Sequence, residues 1–171
     1  RDPISGMVAV LEQARAFAEL FKQGWRPKRT LVFCAWDAEE PGLLGSTEWA
    51  EQHAALLHEK AVVYINTDGC ARGFLNMGGA HSLERMAAQV VQDVLDPQTQ
   101  VSVSERKRSR ILVDGTLEQK KLVKSSKSLL LSALGSGSDY TVFLQHLGIP
   151  TFNVSFGGEG IGGEYHTSFD T

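Results

Sequence analysis

The chain has 171 residues, 42% of them hydrophobic and 22% charged, and a formal net charge of −3. That length fits one domain with a sizeable core, and the slight acidity excludes the overall basic surface of a nucleic-acid binder. No stretch approaches the roughly 20 apolar residues of a membrane span, and two cysteines are too few for a disulfide scaffold. Cys34 and Cys70 therefore read as unpaired thiols, Cys34 inside the apolar run LVFCAW. Arg1 starts no leader pattern, which by itself says nothing about export.

From Pro3 to Gln23 the apolar positions Met7, Val10, Leu11, Ala14, Phe17, Ala18 and Phe21 recur at steps of three and four. This spacing predicts an amphipathic helix that starts at Pro3 and stops at Gly24. TLVFCAW (30–36) is a continuous apolar, partly β-branched run and predicts a strand buried on both faces. After the loop DAEEPGLLGS, residues 46–59 read as a helix with Trp49, Ala50, His53, Leu56 and Leu57 inward. AVVYINT (61–67) reads as a second buried strand, 81–94 as a third helix and SDYTVFLQHL as a fourth, which leads into the strand PTFNVSF. The alternation implies an α/β sandwich, with a mixed, mostly parallel sheet and helices on both faces.

Residues from about 96 to 135 read as an irregular excursion, not a second domain. Within it, 105–127 hold eight basic and three acidic side chains. Without an aromatic-lined groove or a fold signature, this charge run reads as a solvated face, and nucleic acid is not expected as a partner.

In open α/β sheets the ligand site lies beyond the carboxyl ends of the strands. Strand 30–36 runs into Asp37, Glu39 and Glu40, strand 61–67 into Asp68, and the last strand passes through GGEGIGGEY to His166. Asp2 can reach the same edge, although it also reads as a cap for the first helix. Singly these are ordinary loop residues, but several acids converging with an imidazole repel one another unless cations sit among them. Mixed carboxylate and imidazole donors suit zinc, cobalt or manganese.

DPISG, WDAEEPGLLGSTEWAE, the YINTD strand end, LGSGSDYTVFLQHLGIP and the closing YHTS resemble the glutamate carboxypeptidase II and transferrin receptor branch of the zinc aminopeptidase-type metallopeptidases. The resemblance runs from Asp2 to Thr171 and is weak across about 100–130. It implies that residues 1–171 are part of a catalytic domain with the three-layer zinc aminopeptidase-like fold. It also implies two zinc ions. Asp2 would bridge them, Glu40 and His166 would complete one site, and Asp68 would serve the other with a histidine upstream of Asp2.

In the family pattern Glu39 matches the general base, which acts on a metal-bridging water, and Tyr165 matches a donor to the oxyanion. Tyr165 also reads as an aromatic that packs the loop. Gly42, Ser136, Gly137 and Ser138 match substrate-lining positions, although GSGSD equally reads as a helix entry. The implied activity is hydrolysis of a terminal peptide or acyl-amino-acid bond, of carboxypeptidase or aminopeptidase type. Thr151–Phe156 lacks the arginines of glutamate-specific relatives, which leaves the side-chain preference open. A non-catalytic, transferrin receptor-like interaction domain is the alternative, and glutaminyl cyclisation a third reading. An extracellular, periplasmic or membrane-anchored setting is implied by the resemblance alone. A homodimer stays open, and no membrane contact is expected within this segment.

Overall fold

The computed structural model describes residues 3–126, 131–160 and 163–169. The first helix, α1, spans Ile4–Lys22, as its periodicity predicts. Its apolar stripe is nevertheless largely uncovered, with Ile4 69%, Val8 58% and Leu11 62% exposed. The close contact is at its first turn. A Cβ added at Gly6 would stand 2.4 Å from the Thr67 carbonyl oxygen and 2.6 Å from that of Asp68. Beside it, the Ser5 hydroxyl accepts the Cys70 amide at 3.1 Å.

Gly6→Ala therefore sets two effects against each other. Alanine favours a helix by up to ~1 kcal/mol over glycine, whereas forcing a methyl against rigid backbone costs about 1–3 kcal/mol. The expected result is a lower denaturant midpoint, and a higher one would mean that α1 does not press on residues 67–68.

Three strands, β1 (Tyr64–Asn66), β2 (Gly73–Gly79) and β3 (Thr151–Gly158), form a mixed sheet in the order β1-β3-β2. β1 runs parallel to β3 with Ile65 opposite Phe152, and β2 runs antiparallel with Met77 opposite Val154 and Leu75 opposite Phe156. Because successive strand residues alternate faces, this register puts Leu75, Met77, Phe152, Val154 and Phe156 on one side. There they pack with Ala87, Val91 and Val103 of α4 (Glu84–Asp93) and α5 (Val103–Asp114).

Tyr64, Asn66, Asn153 and Ser155 occupy the other side. A second cluster lies by Tyr64, built from Ala50 of α2 (Leu44–Gln52), Trp36, Trp49, Val142, Phe143, Leu147 and Ile149. Tyr64 and Phe143 stack at 3.9 Å between ring centroids. The domain is thus mixed α/β, with helices packed against both sides of its sheet. No helix among the described residues is long and apolar enough to cross a membrane.

The structure departs from the sequence reading at several elements. Residues 30–36 form no ladder, and Leu31, Val32 and Phe33 are 41%, 69% and 43% exposed. An apolar run favours burial between strands, but ladder bonds require a neighbour, and no described segment supplies one. The helix expected at 46–59 breaks at His53, where α2 gives way to α3 (Ala54–Lys60). There the His53 Nδ1–H donates to the Trp49 carbonyl at 2.7 Å. β2 was not foreseen.

The stretch 96–135 contains α5 and α6 (Leu117–Ser125). Ser102 caps α5 by accepting the Glu105 amide, and Thr116 and Gln119 form a capping box on α6. Arg108 of α5 donates to the carbonyls of Val123 and Ser126 at 2.6 Å each, which satisfies acceptors left over at the end of α6. The expected fourth helix appears at 142–146 as a π-helical turn, in which the Leu147 amide reaches the Val142 carbonyl at 2.9 Å.

Candidate functional site

Past residue 36 the chain turns sharply. Ala38 and Leu43 take left-handed backbone conformations (φ 51° and 59°), and Gly42 has φ 130°. For a residue with a side chain the left-handed region costs roughly 1–2 kcal/mol. Here the Glu39 carbonyl holds it by accepting the amides of Gly42 at 3.0 Å and Leu43 at 2.8 Å. No atom stands within 4 Å of a Cβ built on Gly42, so conformation rather than crowding selects glycine there. The turn leaves Glu39 half-buried and Glu40 exposed.

The end of the chain comes back to this turn. The Glu164 carbonyl accepts the amide and hydroxyl of Thr167 at 3.2 and 2.7 Å, which closes a turn over His166. His166 is itself left-handed, with φ 60°. Its Nε2 stands 2.8 Å from Oε1 of Glu40. The Tyr165 ring stacks on the imidazole at 3.8 Å between centroids, with Tyr165 65% exposed.

Asp68 is held from the polar side of the sheet. Its Oδ1 accepts the Ser138 hydroxyl at 2.7 Å and the Asn66 amide at 2.9 Å. The same Asn66 nitrogen lies 3.1 Å from Ser138 Oγ and 3.2 Å from Asn153 Oδ1. Its carbonyl accepts from the Tyr64 hydroxyl at 3.0 Å, and that hydroxyl in turn accepts from the Trp36 indole at 3.0 Å. Burial pushes the Tyr64 phenol far above its usual range, so it stays a neutral donor.

Ser138 is turned inward, 2% exposed, whereas Ser136 and Gly137 face solvent. The next residue, Asp139, accepts the Ser46 hydroxyl at 2.6 Å. Burial raises the Asp139 carboxyl, the Ser46 bond opposes that, and the charge of Asp68 adds to it. Asn66, 4% exposed, is the centre of this arrangement. Asn66→Ala would strip a partner from Tyr64, Ser138 and Asp68 together, and is expected to cost about 1–3 kcal/mol of unfolding free energy. An unchanged urea midpoint would show that these groups find water instead.

Asp2 lies outside the described residues. Ser5 and Gly6, in the first turn of α1, lie against residues 67–70. Among the described residues, no group of three or more His, Cys, Asp and Glu could hold a metal ion. The structure thus brings Glu40 and His166 together and fixes Asp68 separately on the sheet. Asn66, Asn153 and Ser46 were not singled out by the sequence. The one available signal for Asn66 was a polar residue near the end of an otherwise apolar strand.

The model of peptidase family M28 matches residues 1–171. The chain belongs to that family. Its M28 relatives include a probable glutamate carboxypeptidase, AMP1, of Arabidopsis thaliana, 37% identical over 99% of this chain and 22% of that protein. A glutamate carboxypeptidase 2 homolog of Caenorhabditis elegans is 36% identical over 99% of this chain and 21% of its own length. The mouse aminopeptidase NAALADL1 is 32% identical over 99% of this chain and 23% of its own length. These matches place the chain in the glutamate carboxypeptidase II-like branch of M28. It spans about a fifth of the length of these relatives.

Proposed function

We propose that the complete protein is a two-zinc exopeptidase that hydrolyses a terminal peptide or acyl-amino-acid bond. The observation that carries this reading is the approach of His166 Nε2 to Glu40 Oε1 at 2.8 Å. Two residues distant in sequence, from two separate turns, present the imidazole and carboxylate donors that zinc prefers. M28 membership and the carboxypeptidase and aminopeptidase names of relatives support a peptidase. Both names occur, so the proposal stays at exopeptidase.

In this reading Glu40 and His166 would hold one zinc with Asp2, and Asp68, its carboxylate oriented by Ser138 and Asn66, would serve the second. Zinc supplies Lewis acidity toward water and toward the scissile carbonyl. Glu39, set apart from Glu40 by the sharp turn, accepts a proton from the attacking water and passes it to the departing amine. Tyr165, stacked on His166, donates its hydroxyl to the developing oxyanion. Gly42, Ser136 and Gly137 line the approach of the substrate, and Ser138 adds a buried hydroxyl at the Asp68 edge.

Metal analysis of the complete protein tests this. Two equivalents of zinc per chain are expected, with hydrolysis of a blocked or free dipeptide lost on chelation and restored by zinc. A protein that binds none would be a non-catalytic relative on the same fold.

A further inference from the structure

The basic stretch 105–127 had no assigned role in the sequence, yet α5 buries one of its arginines, Arg106, to 8% exposure. Its guanidinium is shared between two carboxylates, one arm donating to Asp96 and the other to Glu159. The second arm also reaches Gln98 Oε1 at 3.1 Å. Asp96 is buried and anchored within its own turn. Its Oδ1 accepts the amides of Gln98 and Thr99 at 3.0 and 2.8 Å and the Thr99 hydroxyl at 2.9 Å. Burial alone would raise the Asp96 carboxyl, but the bonds from Arg106 and Thr99 outweigh it and hold it at about 2. Glu159 receives a second guanidinium, with Arg72 Nε 2.8 Å away, and Arg106 lies over the Phe74 ring at 4.9 Å. Two cations and two anions from separate segments therefore meet at the end of β3.

The position matters because Gly158 pairs with Gly73 in the last rung of the β2–β3 ladder. Glu159 is the first residue beyond it, where ladder bonds no longer fix the backbone. Tyr165 and His166 follow in the same glycine-rich connection. A planar guanidinium that bridges two carboxylates fixes direction as well as distance.

We propose that Arg106 is a positioning residue for the metal-binding edge: it ties Glu159 to the Asp96 turn and so fixes the point at which the chain leaves β3 on its way to His166. The part that concerns metal rests on the reading of His166 as a zinc ligand. The basic excursion then serves the site from behind, without touching substrate.

Glu159→Gln in the complete protein is the mild test, because it leaves the Arg106–Asp96 pair in place. Hydrogen exchange of the amides of residues 157–160 is expected to quicken by about tenfold or more, with β2 residues 74–78 unchanged. The zinc dissociation constant, measured by chelator competition, should rise about tenfold, within the range for groups that orient metal ligands. Thermal unfolding of the metal-free protein should barely move. Arg106→Gln should enlarge both effects, and Arg106→Lys should restore part of each.

Unchanged exchange at 157–160 would overturn the tether. Faster exchange with parental zinc affinity would overturn its reach to His166. A parent protein that binds no zinc would remove the metallopeptidase reading instead, and the exchange result alone would decide the tether.

Discussion

Replacing Glu39 by glutamine is expected to leave zinc bound and to lower turnover in the complete protein by about 10²–10⁴-fold, the usual contribution of a general base. The two side chains are nearly isosteric, so the effect isolates the proton. The main-chain carbonyl of Glu39, which accepts the Gly42 and Leu43 amides, is kept by glutamine. The left-handed turn at Ala38 and Leu43 should survive intact. The measurement is kcat beside zinc content and melting temperature. Near-parental hydrolysis would remove Glu39 from the chemistry, and loss of zinc together with activity would mark it as a ligand instead.

His166→Ala separates metal binding from folding. The side chains of His166 and Glu40 are 51% and 64% exposed, and exposed ion pairs contribute only about 0–1 kcal/mol to stability. The metal-free protein should therefore unfold within roughly 0.5 kcal/mol of the parent, as surface substitutions do. Zinc binding should respond strongly. Loss of a direct ligand is expected to exceed the 10–100-fold effect of removing an outer partner. The zinc-induced rise in melting temperature, which follows ligand concentration over dissociation constant, should shrink accordingly. Glu40→Ala should behave alike. Parental zinc affinity in either variant would contradict their pairing at one ion.

The parts of the fold that the sequence made legible were those with strong periodicity or abrupt polarity changes. α1, the 81–94 helix and the last strand follow from spacing alone, and Asp68 stands just past β1 as expected. β2 escaped notice because three of the seven residues in GFLNMGG are glycines, which carry no side chain to show alternation. Helices α5 and α6 were hidden by their charge, although Ser102 with Glu105 and Thr116 with Gln119 stand at the spacing of a capping box. The opposite error occurred at 30–36, where an apolar run promised a ladder that depends on a neighbouring strand.

At the site, ligand-type residues could be read because several carboxylates and an imidazole occur together in the loops of one short chain. Their supports could not. Asn66 and Asn153 meet only when β1 and β3 align in parallel, and Arg106 meets Glu159 only through the tertiary fold. Such partners leave no local pattern in one chain.

Trp36 gives the Asp68 edge an optical readout. Its indole bonds to Tyr64, Tyr64 to Asn66, and Asn66 to Asp68, so the chromophore sits three hydrogen bonds from that carboxylate. Trp49 lies 5.3 Å from the same ring and Trp25 packs far along the chain against Phe17 and Phe21. With Trp25 replaced by phenylalanine, the tryptophan emission left within residues 1–171 comes from Trp36 and Trp49. Zinc added to this segment is then expected to change that emission if Asp68 is a ligand.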